Sequence, residues 1–187
     1  MHPLAETLLD EPVIAAVKTD ESLTAALASP CSAVFLLAST LLTVDGLVHR
    51  IHDAGKLAVV HIDLVDGLSS REIAVDSLNA LCHPDGIIST RPHLIRRGRE
   101  NNMLTVLRVF AIDSKAVGNL QKETEMVTPD VIEILPGTLP KVIERLSKKL
   151  PVPLIAGGLM TDKGDILSAL QAGALCVSTS EQSLWEV

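Results

Sequence analysis

PLIAGGLMTDKGDILSALQAGALCVSTS, Pro153 to Ser180, holds two apolar runs with a helical segment between them; the first ends in Gly157-Gly158 and the second in Ser178-Thr179-Ser180. Thr161-Asp162 can cap a helix over Ile166–Gln171, and Gly173 stands where a helix C-cap is expected. Strand, helix, strand in this order reads as two parallel strands joined by a right-handed crossover. Both run ends offer backbone N–H groups and hydroxyls in place of bulk. A phosphate needs that equipment, because glycine lets an anion reach the main chain and a following helix start aims unpaired N–H groups at it. Paired glycines serve a tight strand-to-helix turn equally well.

The same unit recurs along the chain. Runs rich in Val, Ile, Leu and Ala lie near Val13–Lys18, Ala33–Ser39, Leu57–Asp63, Gly86–Thr90, Met103–Ala111, Asp130–Leu135, Val152–Gly157 and Ala174–Ser180. Between the second and third, Val44, Leu47, Val48 and Ile51 follow the spacing of an amphipathic helix that Asp53-Ala-Gly55 closes. Ser69-Ser-Arg-Glu72 offers a capping box ahead of Ile73–Leu81. Eight parallel strands can close on themselves, so the expectation is an α/β chain, a single-domain (β/α)8 TIM-type barrel over residues 1–187. Its last helix should be short or truncated, since only Glu181–Val187 remain for it, and Pro3–Leu9 should form a short helix covering the closed end. An open doubly wound sheet is the alternative architecture.

Composition narrows the function. At 187 residues and 47% apolar the chain can bury a large core, yet no apolar run is long enough to span a bilayer and the start lacks a basic n-region and an h-region, so a cytoplasmic protein is expected. Cys31, Cys82 and Cys176 are odd in number and widely spaced, which suits reduced core residues and neither disulfides nor a metal site. No cofactor is expected. A net charge of −7 disfavours a general electrostatic grip on nucleic acid, so any such site must be local. With only Phe35, Phe110 and Trp185 as aromatics, a base-stacking platform is also disfavoured.

Side chains alternate along a strand, which places Leu57, Val59, His61 and Asp63 on one face of the third run and Ala58, Val60 and Ile62 on the other. The second set suits the helix layer, so His61 and Asp63 should point into the barrel at its C-terminal mouth, where such barrels keep their sites. The same parity carries Lys18, Arg108 and Glu133 to that mouth. Unpaired buried ions cost several kcal/mol each, so these groups should pair with one another or with a ligand. A small polyol or hydroxy acid with one anionic group would use both signs of charge. Asp63 and Glu133 would take its hydroxyls; Lys18 or Arg108, with Gly157, Gly158, Ser178, Thr179 and Ser180, would take its phosphate. His61 can act as ligand contact, general base or hydrogen-bonded barrel histidine; one His and one Asp are too few for a metal.

VHIDLVDGLSS (Val60–Ser70), DGIISTRPHLI (Asp85–Ile95), Arg108-x-Phe110 followed by Ile112-Asp113-Ser114, PDVIEILPG (Pro129–Gly137), PLIAGGL (Pro153–Leu159) and ALCVSTS…LW (Ala174–Trp185) occur in that order. Together they closely resemble the glycerol-3-phosphate-responsive antiterminator family, from about Pro12 to Trp185. The resemblance implies a barrel that binds glycerol 3-phosphate and acts on the leader mRNA of glycerol-utilisation genes so that transcription reads past a terminator, without catalysis. One departure is that an acidic residue often follows the second strand in the family, whereas Ser39-Thr40 stand here.

RNA on an acidic protein needs a basic patch. RPHLIRRGRENN carries Arg91, His93, Arg96, Arg97 and Arg99 and is the candidate; an ordinary solvated helix face has the same composition. Lys141, Arg145, Lys148 and Lys149 form a second cluster that reads as a solubilising face. A homodimer would double so small a patch. The rival function is a TIM-barrel isomerase, epimerase or aldolase for a small phosphorylated metabolite, with His61, Asp63 or Glu133 as base and Lys18 as Schiff-base amine. A ligand-dependent protein-binding module is a third.

Overall fold

The computed structural model describes residues 2–3, 5–7, 11–111, 118, 120 and 124–186. Eight parallel strands close into a barrel: β1 Val13–Val17, β2 Ala33–Leu36, β3 Leu57–His61, β4 Gly86–Ser89, β5 Leu104–Phe110, β6 Val131–Leu135, β7 Leu154–Gly157 and β8 Cys176–Thr179. Each strand pairs with its sequence neighbours, and β8 returns to β1 through Val13 opposite Val177 and Ile14 opposite Ser178. That closure removes the open-sheet alternative, because no barrel strand keeps an unpaired edge.

Alternation decides what goes where. Ile14, Ala16, Phe35, Val59, Ile88, Leu104, Val106, Val131, Ile155 and Cys176 fill the barrel interior. Their opposite-parity neighbours, such as Ala15, Val34, Ala58, Val60 and Val177, pack outward against helices. Burial of each large aliphatic side chain contributes about 1.5–3 kcal/mol, so a one-residue register slip in any strand would be severely destabilising. Desolvation raises the thiol pKa of all three cysteines, which are free and buried; that of Cys82 is pushed up to about 12.

The described helices are α1 Asp20–Ala28, α2 Val44–Asp53, α3 Ile73–Cys82, α4 Pro92–Glu100, α5 Pro140–Ser147 and α6 Lys163–Gln171. In α2 the apolar stripe Val44, Val48 and Ile51 is buried as its spacing requires, with Leu47 partly so. Asp162 caps α6 by accepting from Asp165 N–H at 2.9 Å, and Gly55 and Gly173 end α2 and α6 at φ +71° and +104°. The expected capping box before α3 does not form. Glu72 itself is the N-cap and makes no side-chain cap bond, because its carboxylate reaches across to Arg96 at 2.9 Å.

At the closed end, residues 5–7 are helical and Ala5 is fully buried among the barrel-interior residues. Asp130 ties this segment down, accepting from His2 N–H at 2.7 Å and from the Thr105 hydroxyl at 2.8 Å. Leu9 lies outside the described residues. After β8 comes a single 3-10 turn, Gln182–Leu184, and then Trp185, which is buried and donates from Nε1 to Thr179 O at 2.9 Å. No helix among the described residues is long and apolar enough to cross a membrane.

Candidate functional site

Local geometry brings Lys18 to the C-terminal mouth first. Thr19 begins α1 with a capping box: Ser22 N–H donates to its Oγ1 at 3.1 Å, and its own N–H donates to Ser22 Oγ at 3.0 Å. Lys18 therefore sits between the end of β1 and a fixed turn, with its ammonium exposed. Among the described residues it has no ion-pair partner.

Across the mouth β5 and β6 are in register with Arg108 opposite Glu133. Arg108 Nε donates to Glu133 Oε2 at 2.5 Å, and the Ser178 hydroxyl donates to Glu133 Oε1 at 2.5 Å. Glu133 is 0% exposed, so both oxygens of a fully buried carboxylate are already engaged. Gly157 is what makes room for this network: a Cβ there would lie 2.6 Å from Ser178 Oγ and 2.7 Å from Glu133 Oε1. The next residue, Gly158, turns the chain at φ +74°, and Leu159 continues in the left-handed region at φ +59°. The Ser180 N–H meets no acceptor among the described residues.

These groups enclose a cavity of about 300 Å³. Its polar wall is Lys18, Arg108, Glu133, Gly158, Ser178, Thr179 and Ser180; its apolar wall includes Leu37, Leu64, Phe110, Leu135, Leu159 and Met160. Parity applied two residues further along β2, β5 and β6 would have found Leu37, Phe110 and Leu135, which share the faces of Phe35, Arg108 and Glu133. Leu159 and Met160 come from a loop and had no periodic signal.

His61 and Asp63 do not line this cavity. β3 ends at His61, and Asp63 lies in a 3-10 turn, Ile62–Leu64, that carries its carboxylate sideways onto β4. There it accepts from Ser89 Oγ at 3.0 Å, Thr90 N–H at 2.8 Å and Thr90 Oγ1 at 3.0 Å, with Arg91 at 3.8 Å. Its role is to pin the ends of β3 and β4 together. His61 is 3% exposed and its Nδ1 has no hydrogen-bond partner; burial first, and the Arg108 charge second, lower its pKa to about 4. Ser39 and Thr40 pair with Val65 and Asp66 in a two-strand ribbon beside the mouth, which is the local structure of the departure after β2.

The basic segment is α4, and its arginines have partners within the chain. Arg97 is forked on Asp76 at 2.8 and 3.0 Å and also meets Glu100 at 2.7 Å, an arrangement that raises its pKa and anchors α4 on α3. Arg96 pairs with Glu72, and Arg99 with the Thr128 carbonyl and hydroxyl. In α5 Ile143 and Leu146 are buried while Lys141, Arg145, Lys148 and Lys149 stay in water, the solubilising face expected.

Fold and mouth together define a small (β/α)8 barrel with a mixed polar and apolar cavity at the C-terminal end of its strands. The model of the glycerol-3-phosphate responsive antiterminator family matches residues 13–185, and the chain belongs to that family. It is 38% identical over 183 residues to the uncharacterized protein YgcP of Escherichia coli K12, covering 98% of this chain and 96% of that one. The crystal structure of a glycerol uptake operon antiterminator regulatory protein from Listeria monocytogenes superposes with a TM-score of 0.91 at 33% identity, covering 94% of this chain and 95% of that chain. A glycerol uptake operon antiterminator-related protein from Thermotoga maritima gives 0.83 at 32%, covering 94% and 98%.

Proposed function

We propose that this chain is a cytoplasmic glycerol-3-phosphate sensor that binds the leader mRNA of glycerol-utilisation genes, as a homodimer, and lets transcription read through a terminator. The observation that carries the ligand half is the convergence on one cavity of Lys18, which has no ion-pair partner among the described residues, with the loop starts at Gly158 and Ser180. The phosphate sits on these three groups, and the glycerol hydroxyls face Arg108, Glu133 and Ser178.

Binding without turnover follows from the same network. A general base needs a free lone pair within reach of a substrate proton, whereas Glu133 holds Arg108 and Ser178, Asp63 holds β4, and His61 lies outside the cavity lining. For RNA, Arg91 and Arg96 are the usable contacts. Arg96 and Glu72 are 59% and 47% exposed, and so open a pair contributes about 0–1 kcal/mol, so a transcript phosphate can replace the carboxylate. Arg97 is held by its fork.

Calorimetric titration with glycerol 3-phosphate and with glycerol, followed by leader-RNA binding with and without the ligand, tests the reading. Saturable binding of the phosphate ester alone and ligand-dependent RNA affinity are expected. Turnover of a phosphorylated sugar with no RNA binding would overturn it.

A further inference from the structure

The closed end of the barrel carries a cavity of its own. It measures about 330 Å³, and its wall is formed by Arg99, Thr128 and Asp130 with three prolines, Pro129, Pro151 and Pro153. It therefore lies between the end of α4 and the turns that lead into β6 and β7, opposite the mouth. Thr128 stands there in the left-handed region at φ +44°, an outlier for a β-branched residue. Such strain gathers at ligand clamps. Arg99 holds this residue by donating from Nη1 to both its carbonyl and its hydroxyl, while Nε and Nη2 of the same guanidinium meet no acceptor among the described residues.

The wall selects what enters. Asp130 is 6% exposed, and its carboxylate is fixed in place by the Thr105 hydroxyl at 2.8 Å, so a negative charge stands in the lining and repels a phosphate. A flat neutral ring with acceptor atoms on its edge fits instead, covered by the prolines and served by the remaining donors of Arg99. An unpaired base has that chemistry, and guanidinium planes receive such bases.

Phosphates have a path that leads to it. Lys141, Arg145 and Lys149 recur every four residues, about 6 Å apart along a helix axis, on the side of α5 opposite the buried Ile143, Leu146 and Leu150. The turn runs on past Ser147, with the Lys149 and Leu150 N–H groups both donating to Leu146 O at 3.0 and 2.9 Å, and Pro151 of the cavity wall follows at once. None of the three cations has an ion-pair partner among the described residues, and Glu144, the acidic residue of α5, is taken by Lys148 at 2.6 Å.

Resting on the RNA partner proposed above, we propose that α5 and the closed end form a single-strand RNA site. The backbone follows Lys141, Arg145 and Lys149 down the helix, and one unpaired base enters the cavity beside Arg99.

The test is fluorescence anisotropy of the full chain with labelled leader RNA, in the presence of glycerol 3-phosphate, and with labelled inorganic polyphosphate as a polyanion that has no bases. All four cations are exposed, so their variants should fold as the wild type does, which circular dichroism checks. Lys141→Gln, Arg145→Gln and Lys149→Gln together should lower the salt dependence of RNA binding by about 2, at about 0.7 per contact, and weaken polyphosphate as well. Arg99→Lys keeps a cation and a donor for Thr128 but not the flat guanidinium. It should weaken RNA about fivefold or more with the salt dependence unchanged, and leave polyphosphate as in the wild type. If the triple variant keeps the wild-type salt dependence, or if Arg99→Lys leaves RNA untouched or weakens polyphosphate equally, this proposal fails and RNA binding through α4 stands. Polyglutamate binding as tightly as RNA would make the surface one for acidic protein and overturn it too. If the wild type binds no leader RNA, the proposed function fails and takes this proposal with it.

Discussion

Replacing Glu133 by leucine removes two short hydrogen bonds at once, from Arg108 Nε and from the Ser178 hydroxyl, each 2.5 Å long. It strands a guanidinium that is 8% exposed. Breaking one side of a buried ion pair costs about 3–5 kcal/mol, and the cavity beside Arg108 admits some water, which favours the lower half of that range. In a chain of this length 1 kcal/mol moves Tm by about 2–4 °C, so Glu133→Leu should lower Tm by about 6–16 °C. The informative partner is Arg108→Met with Glu133→Leu. Apolar groups of similar volume replace a buried pair at little cost, so the double variant should return to within about 1 kcal/mol of wild type, with a coupling of at least about 2 kcal/mol. It should nevertheless lose glycerol 3-phosphate affinity, since Arg108 lines the cavity. Urea denaturation followed by circular dichroism measures all four corners of the cycle. A single variant within 1 kcal/mol of wild type, or a double variant as unstable as the two singles summed, would refute the account of this network.

Gly157→Ala should be more damaging than Gly158→Ala in the same denaturation assay: the first drives a Cβ into Ser178 and Glu133, whereas the second meets the end of the Leu135 side chain at 3.3 Å and carries mainly the left-handed penalty of about 1–2 kcal/mol. Ser178→Ala loses a bond to a carboxylate and should cost about 1.5–3 kcal/mol of stability, read as a shift in the urea midpoint. Because His61 is held near 4 in the folded chain against an ordinary 6.5, its contribution is full above pH 6.5 and lost as pH falls toward 4, on the order of 3 kcal/mol in all; urea midpoints across that window should fall less steeply in His61→Gln. Arg91→Gln and Arg96→Gln should each reduce the salt dependence of leader-RNA binding by about 0.7, measured by filter binding, while Arg97→Gln should chiefly destabilise the α3–α4 contact.

The barrel was legible because a strand has a period of two and a buried strand cannot hide its runs; every one of the eight apolar runs contains a barrel strand. Parity also located Lys18, Arg108 and Glu133 on one cavity. It misplaced Asp63 for a definite reason: alternation holds only while the strand lasts, and β3 gives way to a 3-10 turn one residue after His61. The arginines of α4 looked like a free basic patch because their acidic partners, Glu72 and Asp76, lie some 20 residues earlier on α3, a separation that no local pattern reveals. The Ser69–Glu72 capping box failed for the same reason, since Arg96 claims the carboxylate.

The segment after β8 gives the barrel a built-in optical probe. Beside β8 lie a 3-10 turn and the chain's single tryptophan. Trp185 is 3% exposed, its indole N–H donates to Thr179 O, and the Cys31 thiol, two residues before β2, donates to its backbone carbonyl. Thr179 also lines the mouth cavity. Emission from one fluorophore thus reports on the seam where the first and last strands meet, and a ligand that tightens β8 will be seen in its wavelength without any label being attached.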